Sequence, residues 1–195
     1  MEAVTILAIT TSPRRKGNSE TLLDEVIAGA RSIGANVEKA VLNDYKIAPC
    51  CECGGCAENG KCVIDDDYQE FYTRFFSTDR IVLATPVYFM TVCAQAKALI
   101  DRGQALWIRK YVLKERIPAR EGFPRKGYLI ATGGSGIPNT FDCSRTVCKC
   151  FYRTIDMEFA GDVCVNNVNA KGDIGQYGDK LKAAFELGMQ AASPA

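Results

Sequence analysis

The sequence predicts a doubly wound α/β sandwich built on a five-stranded parallel sheet. Two observations carry this. Short, apolar, β-branched runs recur along the chain, and each is followed by a segment whose apolar residues fall at helical spacing. Parallel strands need crossover helices, and right-handed crossovers place those helices on both faces of the sheet. Ligands are then expected at the carboxyl ends of the strands.

The elements follow in order. Val4-Thr5-Ile6-Leu7-Ala8-Ile9-Thr10 has the pattern of a strand buried on both faces. A polar loop, 11–17, leads to Leu22, Leu23, Val26, Ile27 and Ala30, a helix that ends near Gly34. Residues 37–42 form the next strand and complete a βαβ unit. After a cysteine-rich loop, 46–64, Asp65-Asp66-Asp67 supplies cap and first-turn acids to a helix. Its Tyr68, Phe71, Tyr72 and Phe75 make one apolar stripe. A third strand is predicted at 80–85, a helix at about 94–102, a strand at 127–132 and a helix after Pro138. A strand near 159–165 and a last helix from about Lys180 complete the alternation. No repeat, linker or low-complexity tract divides the chain, so it reads as one domain over residues 1–195 with the cysteine loop inserted.

Composition narrows the function. The 195 residues are 47% hydrophobic and 24% charged, ordinary for a chain that buries a core without disulfides. A net charge of +1 gives no global field for nucleic acid. No run approaches a membrane span, and Met1-Glu2-Ala3-Val4 lacks a basic signal region, which predicts a cytoplasmic protein with no membrane contact. The chain has no histidine, which excludes Ser-His, Cys-His and His-zinc arrangements. Its ten cysteines, in a reducing compartment, read as metal ligands or redox groups rather than a disulfide framework.

Three loops are candidates to hold a cofactor. Thr11-Ser12-Pro13-Arg14-Arg15-Lys16-Gly17-Asn18-Ser19 opens onto a helix, and the Ser12 and Ser19 hydroxyls, the Asn18 amide and the Arg14 guanidinium could surround a phosphate. It is neither a P-loop nor a dinucleotide fingerprint. The alternative is a plain polar loop with Ser19 as helix cap. Thr85-Pro86-Val87-Tyr88-Phe89 places apolar groups at a strand end, where they suit a flat aromatic ligand or simply core. Thr132-Gly133-Gly134-Ser135-Gly136 lets backbone approach a ligand closely, or is a turn.

Five cysteines lie in residues 50–62, and the spacing Cys50-x2-Cys53-x2-Cys56-x5-Cys62 is similar to the compact runs that wrap cubane clusters. Structural zinc is the rival, though its thiolates usually come as two separated pairs. Cys51 is an extra thiol. Cys93, Cys143, Cys148, Cys150 and Cys164 fit no cluster spacing and read as packing groups.

Taken together, these features resemble the iron-sulfur flavoprotein family, a flavodoxin-like branch of the NADPH-dependent FMN reductases. The carriers are Ser12-Pro13-Arg14 with Gly17-Asn18-Ser19, the four-cysteine run followed by Asp65-Asp66, Pro86-Val87-Tyr88-Phe89, and Lys97 with Asp101-Arg102. The resemblance implies a flavodoxin-like sheet of order 2-1-3-4-5. It implies FMN held by Ser12, Arg14, Gly17, Asn18 and Ser19 at the phosphate and by Thr85, Pro86, Val87, Tyr88, Phe89, Gly133 and Gly134 at the isoalloxazine. It also implies a [4Fe-4S] cluster on Cys50, Cys53, Cys56 and Cys62. Members are homodimers or homotetramers in which one subunit's cluster can lie near another's flavin, with ferredoxin-like donors. Ser19 stands where threonine is common, and Cys51 and the later cysteines lie outside the pattern.

The implied activity is a flavin-dependent oxidoreductase that passes electrons from a ferredoxin-like donor through the cluster to FMN and on to O2, H2O2 or a quinone. Residues 109–126 hold seven basic and two acidic residues, which could steer an acidic donor or form a solvated face. Two other readings stay open. One is an NAD(P)H-dependent FMN or quinone reductase whose cysteines bind zinc or stay free; the other is a cluster-based redox sensor.

Overall fold

Five parallel strands carry the fold, each central one apolar on both faces. In the computed structural model, which describes residues 2–194, β1 (Thr5–Thr10), β2 (Asn36–Val41), β3 (Arg80–Tyr88), β5 (Lys126–Thr132) and β6 (Glu158–Val165) are parallel. They stand in the order β2-β1-β3-β5-β6. A two-residue strand, β4 (Thr91–Val92), pairs antiparallel with the end of β3. Apart from this addition the parallel strands follow the expected 2-1-3-4-5 order.

Side chains alternate across the sheet and feed two cores. Ile6 and Ala8 of β1, Val82 and Ala84 of β3, and Tyr128 and Ile130 of β5 pack against α1 (Asn18–Ser32) and α6 (Gly178–Ala192). Leu7, Ile9, Ile81, Leu83, Leu129 and Ala131 face the other way. They meet the helices α2 (Tyr68–Ser77), α3 (Ala94–Arg102) and α5 (Asp142–Thr154). On the first face α1 and α6 touch backbone to backbone. A Cβ added at Gly29 would fall 2.0 Å from the Phe185 carbonyl oxygen, and one at Gly188 would fall 2.0 Å from that of Val26.

Two expectations change. The third strand does not stop at 85: Pro86, Val87 and Tyr88 extend it, and Phe89 and Met90, at φ 49° and 67°, turn the chain back into β4. Both turn residues are left-handed, the backbone of a two-residue primed hairpin turn, which ordinarily selects asparagine and glycine. The basic stretch after Trp107 is not an open positive face. The chain continues from a short helix, α4 (Gln104–Trp107), through a π-helical turn at Ile108–Val112, and then runs across the protein surface. Arg109 pairs with Glu115, Lys110 and Arg116 with Asp156, and Arg120 with Asp79 and Glu2. Arg125 is buried and donates to the Thr78 and Phe75 carbonyls at 2.9 and 2.6 Å. Only Lys114 and Lys126 of the seven basic residues lack such a partner among the described residues, so a steering field from this segment is largely cancelled.

Candidate functional site

Two hollows contain the residues that the sequence singles out. The first opens at the carboxyl ends of β1, β3 and β5. Ser12, Arg14, Gly17, Asn18 and Ser19 line it from the first loop, Pro86, Val87 and Tyr88 from the hairpin, and Thr132, Gly134, Val168 and Asn169 complete it. Its enclosed part is about 80 Å³, well below the roughly 300 Å³ at which small-molecule pockets begin. That volume suits one polar head group, and Pro86, Val87 and Tyr88 offer an apolar edge beside it.

The polar end is suited to an anion. Helix α1 starts after Gly17 with no side-chain cap, so the alternative of Ser19 as helix cap does not hold and the first-turn amides stay available. The Arg14 guanidinium donates to the Asn169 carbonyl at 3.1 Å and has no carboxylate partner among the described residues. Arg15, by contrast, pairs with Asp44 away from the hollow. The Ser12 hydroxyl accepts the Arg14 amide at 3.1 Å and shapes the loop. A Cβ at Gly17 would meet the Arg14 carbonyl at 3.0 Å, which keeps this turn small.

Several expected site residues do other work. The Asn18 side chain donates to the Ala170 carbonyl at 2.9 Å and accepts the Gly172 and Ile174 amides, so it latches the loop after β6. Thr85 is buried, its hydroxyl donating to the Pro86 carbonyl at 2.8 Å and accepting the Cys93 amide at 3.2 Å. Phe89 is fully exposed at the hairpin tip. Gly133 sits against Asn166 and Thr140 and is tied by backbone to Val165 and Val168. Thr132 belongs to the expected glycine loop, while Val168 and Asn169 are unanticipated. The rule that ligands gather at strand carboxyl ends, applied to the Asn166-Asn167-Val168-Asn169 run after β6, points to them.

The second hollow, about 300 Å³, lies inside the cysteine loop. Cys50, Cys51, Cys53, Cys56 and Cys62 all line it, with Val63, Ile64, Ile108 and Arg102. Glu52, Gly54 and Gly60 adopt left-handed backbone, which lets the chain curl this tightly. The curl is anchored from α2: Tyr72 Oη donates to the Gly60 carbonyl at 2.9 Å, and Gln69 Nε2 donates to those of Cys62 and Ile64 at 3.0 and 2.9 Å.

The thiols act on one another. Burial, then the neighbouring Cys62, Cys50 and Cys53, push the Cys56 thiol up. The Gly55 amide, helped by Cys51 and the Arg102 charge, draws Cys53 down. Among the described residues no three His, Cys, Asp or Glu side chains converge as a single ion would need. A cubane's ligands each hold a different iron and stand around a body. Five thiols facing one apolar hollow fit that requirement. So does the Arg102 Nε, a buried donor without a partner in the hollow's wall, because a polyanionic cluster is held by such groups. The later cysteines lie elsewhere. Cys93 and Cys148 are buried, with the Cys148 thiol pushed up to about 12 by burial, while Cys143 and Cys150 are exposed on α5.

Residues 4–140 match the sequence family described as NADPH-dependent FMN reductase. The chain is 40% identical over 194 residues to an iron-sulfur flavoprotein of Archaeoglobus fulgidus, covering 98% of this chain and 79% of that protein. It is 35% identical over 130 residues to an iron-sulfur flavoprotein of Methanosarcina thermophila, covering 67% of this chain and 63% of that one, so it spans less than two thirds of this relative's length. Among solved structures, an NAD(P)H:quinone oxidoreductase from Methanothermobacter marburgensis superposes with a TM-score of 0.73 at 15% identity, covering 100% of this chain and 98% of that one. At that identity the similarity is one of fold.

Proposed function

The chain belongs to the iron-sulfur flavoproteins, within the NADPH-dependent FMN reductase family, and we propose that it passes electrons from a ferredoxin-like donor to an acceptor such as O2, H2O2 or a quinone. It does so with a [4Fe-4S] cluster in the cysteine hollow and FMN in the cleft. The observation that carries this reading is that five cysteines line one hollow together with the buried, unbonded Arg102 Nε. When bound, the cluster exchanges single electrons and FMN takes one or two, so the pair couples one-electron donors to two-electron acceptors.

The chain's own residues bind and orient. The α1 amides, Ser12, Ser19 and Arg14 would hold the FMN phosphate, and Pro86, Val87 and Tyr88 would seat the ring. Cys50, Cys53, Cys56 and Cys62 would hold the cluster. Asp66 braces their loop by accepting the Ala48 amide at 2.9 Å and the Arg102 guanidinium at 2.7 Å. The two hollows share no lining residue, which is in keeping with a homodimer or homotetramer in which one subunit's cluster lies near another's flavin. No described helix is long and apolar enough to cross a membrane.

The test is anaerobic purification followed by iron, acid-labile sulfide, zinc and FMN analysis of one sample. About four irons and four sulfides per flavin are expected. Yellow protein without sulfide would sink the cluster reading.

The family match favours one second reading, an NAD(P)H-dependent FMN or quinone reductase with zinc-bound or free thiols. Rapid anaerobic bleaching of the flavin by NADPH supports it. Slow bleaching with fast reduction by ferredoxin supports the first.

A further inference from the structure

Two buried donors, the Arg102 Nε and the Tyr68 Oη, make no hydrogen bond within the distance limits of one. Arg102 is 1% exposed and lines the hollow. Its two terminal nitrogens are committed. Nη1 donates to the Ala48 carbonyl at 3.0 Å and Asp66 Oδ2 at 2.7 Å, and Nη2 donates to the Ile64 carbonyl at 3.2 Å and Asp66 Oδ1 at 3.1 Å. This two-pronged grip fixes the plane of the guanidinium and leaves its Nε without a partner. Tyr68, fully buried on α2, lies with its ring 4.6 Å from the guanidinium carbon, and its Oη is also unbonded. Cys62 lines the same hollow as Arg102.

Native proteins rarely bury a donor with no acceptor, because it forfeits its bonds to water. Here two such donors sit side by side, and one of them, Arg102, lines the hollow together with Cys62. Thiolate and sulfide sulfurs are acceptors, and their demand for donors grows when an electron is added.

We propose that Arg102 Nε–H and Tyr68 Oη–H donate hydrogen bonds to the sulfurs on the Cys62 side of the cluster and thereby raise its reduction potential. This rests on the cluster reading above. Both residues are positioning and tuning groups: they hold negative charge without taking part in its transfer. Asp66 sets their aim, since it fixes the guanidinium whose face covers the Tyr68 ring.

The test uses anaerobically purified, cluster-loaded protein carrying Tyr68→Phe or Arg102→Lys. The first keeps the ring and removes only the hydroxyl; the second keeps the positive charge but removes the Nε–H together with the guanidinium fork on Asp66, so Tyr68→Phe is the cleaner single-donor deletion. An EPR-monitored potentiometric titration should show a more negative cluster midpoint in both. A tenfold shift of the reduced-to-oxidised ratio corresponds to about 59 mV for one electron. Tyr68→Phe has a second readout: in chelator-stripped protein it should raise the unfolding temperature, because it removes a buried hydroxyl that has no partner there. A purely structural tyrosine would not help the loaded state while burdening the stripped one. Midpoints unmoved in both loaded variants overturn the inference and leave the cluster reading standing. Wild-type protein devoid of sulfide overturns the cluster reading itself.

Discussion

Replacing Asp66 with asparagine should remove about 3–5 kcal/mol of stability, the usual loss when one member of a buried ion pair is neutralised. The figure follows from the site. The Asp66 carboxylate accepts four hydrogen bonds: from Arg102 Nη1 and Nη2 at 2.7 and 3.1 Å, from the Ala48 amide at 2.9 Å and from the Tyr68 amide at 3.1 Å. Asparagine keeps one acceptor oxygen and turns an NH2 group toward donors, while the Arg102 side chain, wholly buried, loses its counter-charge.

Burial works against ionisation of Asp66, yet the Arg102 guanidinium and the Ala48 and Tyr68 amides outweigh it and hold the carboxyl below its ordinary 3.8. The folded pKa is therefore the lower one, and the unfolded chain binds more protons. The stabilisation is fully present above the unfolded value and is lost as pH falls through the folded one. The assay is urea unfolding of wild type, Asp66→Asn and Asp101→Asn at neutral pH and again below about pH 4. Asp101 is the control because its pair with Lys97 is largely exposed, and such pairs contribute about 0–1 kcal/mol. If Asp66→Asn costs no more than Asp101→Asn, or its cost does not shrink in acid, the cysteine loop is not held by this charge.

Three further outcomes are expected. Arg14→Ala should weaken FMN binding by about ten- to a hundredfold, the worth of one charge-assisted contact, as measured by flavin fluorescence quenching on apo-protein; unchanged affinity would remove Arg14 from the anion site. Gly188→Ala should lower the urea-derived stability by about 1–3 kcal/mol, because its Cβ would meet the α1 backbone rather than a side chain that can turn aside. Maleimide labelling of native, cluster-free protein, read by mass spectrometry, should reach Cys143 and Cys150 and spare Cys93 and Cys148 until denaturant is added. Early labelling of Cys148 would mean that α5 opens locally.

The alternation of strands and helices was legible because each buried strand needs an apolar run and each crossover an apolar stripe; residues 4–10, and 68–75 of α2, show both. The cysteine spacing was legible for a similar reason, since its partners are neighbours in sequence. What escaped depends on distant chain. The seven basic residues of 109–126 could be counted, but Asp79, Asp156 and Glu2, which neutralise several of them, come from other elements. Asn18 offers the same lesson, as its amide is consumed by a loop 152 residues away. The hairpin after β3 was hidden by Pro86, which argues against a continuing strand, and by a Phe89-Met90 turn where asparagine and glycine would have announced it.

The glycine contacts between α1 and α6 reach further than packing. With backbones in direct touch at Gly29 and Gly188, α1 has no soft layer on which to slide or roll, so its amino-terminal amides are held in one direction before any anion arrives. Little ordering then remains to be done at the moment of capture, which favours quick and selective uptake of a phosphate-bearing guest. It also means that the tightness of that uptake is set partly on the carboxyl-terminal helix, and a slight wedge there would blunt the grip without altering a single group that touches the guest.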